Sequence, residues 1–205
     1  MNYLAHLFLA GNSPESRIGN LLGDFLKGNL KQYESVYCRG IMEGVQTHRL
    51  VDSFSDRHQI FLQSKRRISK TNRRFAGIII DVCYDHFLAK HWGLFSELNL
   101  ESFIEDIYQI LADNQKILPL KLQGAIPRMV TEDWLGSYKT IEGISLTLTR
   151  IGRRFKRGNY LVNAGEELIN NYSEIESDFL LFFPELINFV EQISRTGVSP
   201  VMRND

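Results

Sequence analysis

The chain has 205 residues, 43% hydrophobic and 23% charged, the balance of an ordinary globular protein long enough for one domain with a substantial core. Twenty-four Lys and Arg residues match twenty-four Asp and Glu residues, which argues against a uniform polyanion-binding surface and leaves room only for local patches. Cys38 and Cys83 are the only cysteines, too few and too differently placed for a disulfide framework, and they fit a reducing compartment.

The opening "MNYLAHLFLAG" has no basic n-region, and His6 interrupts its apolar run, unlike a secretory leader. No stretch reaches the roughly 18 to 20 apolar residues of a membrane span. The expectation is a soluble, cytoplasmic protein. In "NSPESRIGNLLGDFLKGN", Ser13 reads as an N-cap, Pro14 as the first helical residue and Gly28 as the end of a helix with an Ile18, Leu21, Leu22 and Phe25 stripe. "GIMEGVQTHRLVDSFSD" is a second helix, with Ile41, Val45 and Val51 inside. Residues 73–92 are a third, apolar on almost every side. Phe103, Ile107, Ile110 and Leu111 repeat at helical spacing in a fourth, with Asn99 or Ser102 as its cap. Further helices are expected around 123–134, at 140–156 and over 160–193, the last interrupted near Pro184. Strict alternation is nearly absent, and no glycine-rich phosphate loop follows a strand. The predicted fold is all-α: one helical bundle over 1–193, with a loose tail from 194 to 205.

Polar residues interrupt the inner faces of these helices. Residues four apart share a helical face. Asp81 and Asp85 are such a pair within an otherwise apolar segment, and His48 and Asp52 share a face with Ile41 and Val45. Asp24 adjoins the Leu21/Phe25 stripe, in a row with Arg17 and Asn20. His6 lies among Leu4, Leu7 and Phe8. Each alone has an ordinary explanation: a buried Asp tied to an Arg or a helix N-terminus, or a His bonded to a backbone carbonyl. Together, Asp24, His48, Asp52, Asp81 and Asp85 gather like charges that oppose common ionisation. Bound cations resolve that conflict, and mixed carboxylate and imidazole ligands suit Mn²⁺, Fe²⁺ or Mg²⁺. Arg17, Arg49, Arg73 and Arg74 adjoin the same segments, which fits phosphate-ester chemistry or simple pairing with the surplus carboxylates. Two basic runs, "KRRISKTNRR" (65–74) and "RIGRRFKRG" (150–158), concentrate positive charge in a neutral protein. They read as docking surfaces for an acidic protein or as solvated faces. Nucleic acid is disfavoured by sparse aromatic interleaving.

"MNYLAHLFLA", "GNLLGDFLKG", "GVQTHRLVDSFSDRH" and "RRFAGIIIDVCYDHFLAKHW", in register over residues 1–92, together resemble the acyl carrier protein phosphodiesterase family. The resemblance implies an all-helical fold distantly related to the HD-domain phosphohydrolases. It implies hydrolysis of holo-acyl carrier protein to apo-carrier protein and 4′-phosphopantetheine, with Mn²⁺ as the favoured metal. The chain has no adjacent His-Asp dipeptide, only Asp85-His86 in reverse order, so ligand positions do not transfer one by one. On this reading Asp24, His48, Asp81, Asp85 and His86 are candidate metal ligands, and Asp24, His48, Arg49 and Asp52 candidate catalytic groups. Arg17, Lys27, Arg66, Arg67, Arg74, Arg153 and Arg154 are candidate substrate contacts, and His6 an accessory residue. The expected partner is an acidic carrier protein, with no nucleic acid and no membrane. A nucleotide phosphohydrolase and a non-catalytic helical binding module remain the alternatives.

Overall fold

The computed structural model describes residues 1–153, 155, 161 and 164–196. Its helices are α1 (Tyr3–Leu9), α2 (Pro14–Leu22), α3 (Arg39–Arg57), α4 (Gln59–Arg67), α5 (Ala76–Lys90) and α6 (Leu100–Asp113), then α7 (Leu120–Gln123), α8 (Ile126–Thr131), α9 (Ile141–Gly152), α10 (Gly165–Asn170) and α11 (Tyr172–Thr196). Among the described residues there is no β-strand, and the fold is all-α. No helix among them is long and apolar enough to cross a membrane.

The apolar segment 73–92 becomes α5, flanked by short 3₁₀ turns at Arg73–Phe75 and Trp92–Leu94. It is apolar all round because it is the centre of the bundle, with α1, α4, α9 and α11 packed about it. Its Ile79, Ile80, Val82, Phe87 and Leu88 are fully enclosed. The caps follow the sequence: Ser13 Oγ accepts from Ser16 N, Asn99 Oδ1 from Ser102 N and Thr140 Oγ1 from Gly143 N.

Several features depart from the local sequence pattern, among them a break at Asn171 that divides the helix expected over 160–193 into α10 and α11. The helix begun at Pro14 ends at Leu22, not Gly28, with Gly23 as its cap, bonded to the Gly19 carbonyl; Gly28 then takes a positive φ of 76° in the following loop. α11 runs unbroken through Pro184. Proline in a helix interior costs about 3 kcal/mol, but Phe179, Phe182, Phe183 and Leu186 are all fully buried around it, and each such side chain contributes about 1.5–3 kcal/mol. Residues 194–196, expected in the tail, continue α11; residues 197–205 lie outside the described residues. Finally, α1 and α4 have no counterpart among the sequence-derived helices. α1 has seven residues and no side-chain cap from Asn2; its first amides are capped from α5, a contact that no local pattern contains.

The α2–α3 pair sets the geometry of everything polar nearby. These helices approach at Gly19 and Gly44: a Cβ on Gly19 would lie 2.2 Å from the Ile41 carbonyl oxygen, and one on Gly44 2.6 Å from that of Ser16. Glycine at both positions lets backbone meet backbone, so that side chains of α3 reach the last turn of α2.

Candidate metal centre

His48 projects from α3 into that turn. Its Nδ1 is 2.7 Å from the Asn20 carbonyl oxygen. A carbonyl only accepts, so Nδ1 carries the proton and, in the neutral ring, Nε2 presents its lone pair. The ring lies against Gly23, where a Cβ would stand 2.1 Å from His48 Cγ. Nε2 faces Asp52 Oδ2 at 3.2 Å, one turn further along α3, and Asp24 Oδ1 at 3.8 Å.

His6 arrives from α1. Its ring stacks on His48 with centroids 3.7 Å apart and planes 16° from parallel. His6 Nε2 stands 3.1 Å from Asp52 Oδ1, but neither ring nitrogen makes a hydrogen bond and both are buried. Burial, then the neighbouring His48, pushes the His6 pKa down to about 4 despite the Asp52 carboxylate, so the imidazole is neutral. Burial alone would raise the Asp52 pKa; the facing imidazoles and the Met1 ammonium, 3.6 Å away, outweigh it and hold the carboxyl well below its usual range.

The ligand atoms of His6, His48 and Asp52 all lie within 4.8 Å of one another. Two imidazoles converge on the two oxygens of one carboxylate, and no protein donor satisfies His6. A lone pair on His48 Nε2 and the Asp52 oxygen 3.2 Å away repel unless a cation or a proton lies between. The donor set, two imidazoles and one carboxylate with Asp24 at the edge, therefore fits a divalent transition metal. The Asn20 carbonyl supplies the backing that fixes the tautomer of a ligating histidine.

The other carboxylates are not brought into this cluster. Asp85 is fully buried, and its oxygens accept from Leu4 N at 2.7 Å and Ala5 N at 3.2 Å, capping α1. Burial raises its pKa to about 7, against the pull of those two amides. Asp81 accepts from the Met1 amino group at 2.8 Å, and burial raises its pKa. His86 spends both nitrogens, Nδ1 on the Tyr138 carbonyl and Nε2 on the Tyr172 hydroxyl. It has no lone pair to spare for a cation while both bonds stand.

The arginines also resolve differently from the sequence expectation. Arg49, expected as a catalytic group, donates to the Leu26 and Gly28 carbonyls and braces the loop after α2. Lys27 is exposed on that loop. Arg17 lies 5.1 Å over the Phe103 ring of α6. Arg67 pairs with the buried Asp178 at 2.8 Å, in a network with Ser64 and Gln63, and is a structural ion pair. Arg66 and Arg153 are exposed, and so is Arg74, which lies over Phe75. Arg154 lies outside the described residues. The two basic runs meet in space, since Phe75 and Phe155 pack with centroids 5.9 Å apart.

A cleft of about 260 Å³ adjoins the cluster. Asp24, Asp81 and Met1 form one part of its wall, while Lys121, Trp134, Thr147 and Arg150 form another. Lys121, Trp134 and Thr147 were not legible as site residues, because no motif marks the C-terminal half. Arg150 stood out only as the start of a basic run.

Fold and site thus define a protein, all-helical over the described residues, that brings two imidazoles and a carboxylate within 4.8 Å of one another beside an open cleft. The chain belongs to the acyl carrier protein phosphodiesterase family: the family's sequence model matches residues 1–186. Proteins named acyl carrier protein phosphodiesterase are similar to it in Photorhabdus laumondii (30% identity over 192 residues, 93% of this chain and 96% of that one), in Serratia proteamaculans (32% over 188 residues, 91% and 96%) and in Klebsiella pneumoniae strain 342 (31% over 199 residues, 93% and 98%). No solved structure matches the chain significantly.

Proposed function

We propose that this protein hydrolyses the phosphodiester of holo-acyl carrier protein, releasing 4′-phosphopantetheine and apo-carrier protein, at the His6–His48–Asp52 cluster. Family membership supports the reaction. One observation carries the placement: two imidazoles, one with its Nδ1 proton committed to Asn20 and one with no hydrogen bond, close on a single carboxylate. His6, His48 and Asp52 would hold the cation, with Mn²⁺ first and Fe²⁺ or Mg²⁺ as alternatives. When bound, the cation supplies Lewis-acid polarisation of the phosphodiester and activation of water. Asp24 is exposed at the rim, 3.8 Å from His48 Nε2, and is placed to take the proton from the attacking water at a carboxylate oxygen. Asn20, through its carbonyl, keeps His48 oriented.

Docking of the carrier falls to the surface where the basic runs meet. Arg66, Lys70, Arg74 and Arg153 are exposed there or nearby, and charge of this kind steers an acidic partner. Such steering is screened by salt: the Debye length falls from about 10 Å at 0.1 M to about 3 Å at 1 M.

Incubating purified protein with holo-carrier protein and Mn²⁺, and following carrier mass, tests the reading. The expected result is loss of the phosphopantetheine mass, abolished by a chelator. An unchanged mass alongside phosphate release from free nucleotides would favour a nucleotide phosphohydrolase. Absence of both, with no bound metal, would leave a binding module.

A further inference from the structure

The cleft beside the cluster is narrow and two-sided in character. At about 260 Å³ it lies near the lower end of the range for small-ligand pockets. Phe25, Ile78 and Ile151 give it apolar walls. Among these sits the Thr147 hydroxyl, on a residue 8% exposed, with no hydrogen-bond partner among the described residues. Trp134 closes one side, and that ring is deliberately held. Its Nε1 donates to Glu132 at 2.9 Å, Arg150 donates to the same carboxylate at 2.8 Å, and the Arg150 guanidinium lies 5.0 Å over the indole. Arg128 grips the other Glu132 oxygen at 3.0 Å. Three side chains thus fix one aromatic wall of a cleft that mixes apolar side chains with polar ones, Asn2, Tyr138 and Asp81 among them, and that reaches Asp24 beside the candidate metal centre.

We infer that this cleft binds the prosthetic arm itself, an uncharged linear diamide chain. Trp134 is its aromatic wall, Thr147 its hydrogen-bonding contact, and Arg150 with Glu132 the positioning residues behind Trp134. The inference rests on the phosphodiesterase reading and deepens it. A linear chain with amides, a hydroxyl and a methylated carbon needs apolar surface interleaved with hydrogen-bonding groups, and here Phe25, Ile78 and Ile151 stand beside Asn2, Tyr138 and Thr147. Lys121, exposed at the rim with no ion-pair partner among the described residues, is left to the carrier protein's acidic surface.

The test uses intrinsic fluorescence, because Trp92, the other tryptophan, is buried at 5% exposure and away from the cleft. Pantetheine, which lacks the phosphate, should change the emission of the full-length protein, and the change should vanish in Trp134→Phe. Inorganic phosphate and adenosine monophosphate should give no such change. Thr147→Val keeps the shape and removes the hydroxyl; it should weaken pantetheine binding about fivefold, the worth of one net hydrogen bond. Thr147→Phe fills the cleft. It should lower kcat/KM for holo-carrier protein, relative to a small generic phosphodiester, at least tenfold. No emission change with pantetheine, or wild-type KM for holo-carrier protein in both Thr147 variants, would overturn the assignment. Failure of the underlying reading looks different: wild-type protein with Mn²⁺ would leave holo-carrier protein intact.

Discussion

Asp52 and Asp85 are both carboxylates on inner helical faces, and the chain treats them in opposite ways. Asp85, on α5, has each oxygen occupied by a backbone amide of α1. Asp52, on α3, faces two imidazole nitrogens and an ammonium, and no backbone amide caps it. The histidines repeat the contrast. His86 has a partner on each nitrogen, whereas His6 has a hydrogen bond on neither. What separates a structural polar cluster from a functional one is therefore the accounting of lone pairs, not burial or charge. A satisfied group is part of the fold; converging, unsatisfied donors wait for something the chain does not provide.

The contrast can be broken first at Asp52. Asp52→Asn keeps size and removes the charge between the imidazoles. It should cost turnover about 10²-fold or more while leaving thermal stability close to wild type. Near-normal turnover in a carrier-protein assay would return Asp52 to a structural role.

Asp85→Ala should do the reverse. It leaves the Leu4 and Ala5 amides buried and unpaired, at about 1–3 kcal/mol each. In a chain of this size each kcal/mol shifts Tm by about 2–4 °C, so calorimetry should show a drop of several degrees or more. The part that remains folded should still bind metal. A stable variant with no metal would place Asp85 in the centre after all.

Gly23→Ala sharpens the geometry. The new Cβ would meet the His48 ring at 2.1 Å, so the imidazole must move, and a misplacement near 1 Å can cost up to about 10²-fold in rate. A loss of at least tenfold is expected, with a helical circular dichroism spectrum. Wild-type activity would show that the placement of His48 is immaterial.

The smallest effect concerns His86. Burial lowers its pKa from 6.5, so the folded state disfavours the charged ring. The stability linked to neutral His86 is present above the unfolded value of 6.5 and is lost as pH falls below it. His86→Gln should flatten that part of the stability–pH curve between pH 7 and 5 without altering metal affinity. An unchanged slope in urea denaturation would contradict it.

The sequence made some of this legible and hid the rest for identifiable reasons. Helical periodicity located α3, α5 and α6, and Ser13 and Asn99 marked true starts. The shared face of His48 and Asp52 was visible at four-residue spacing. Asp81 and Asp85 show the same spacing, yet they differ from Asp52 because α1 packs its N-terminus against α5, a contact spanning some eighty residues that periodicity does not encode. His6 looked accessory because a seven-residue helix offers little pattern; its stack on His48 depends on tertiary packing. Arg49 and Arg67 illustrate the same limit, since a carbonyl or a buried carboxylate from a distant segment decides what a cation does. Gly23 stood inside the helix expected to run to Gly28, and its meaning appears only once His48 is seen against it.

Manganese binding measured by electron paramagnetic resonance tests the central claim most directly, because the free-ion signal falls as sites fill. Wild-type protein should titrate with one tight Mn²⁺ per chain. Asp52→Asn should lose that site, and Asp85→Asn, to the extent that it stays folded, should keep it. Retention of tight Mn²⁺ in Asp52→Asn together with its loss in folded Asp85→Asn would contradict the account.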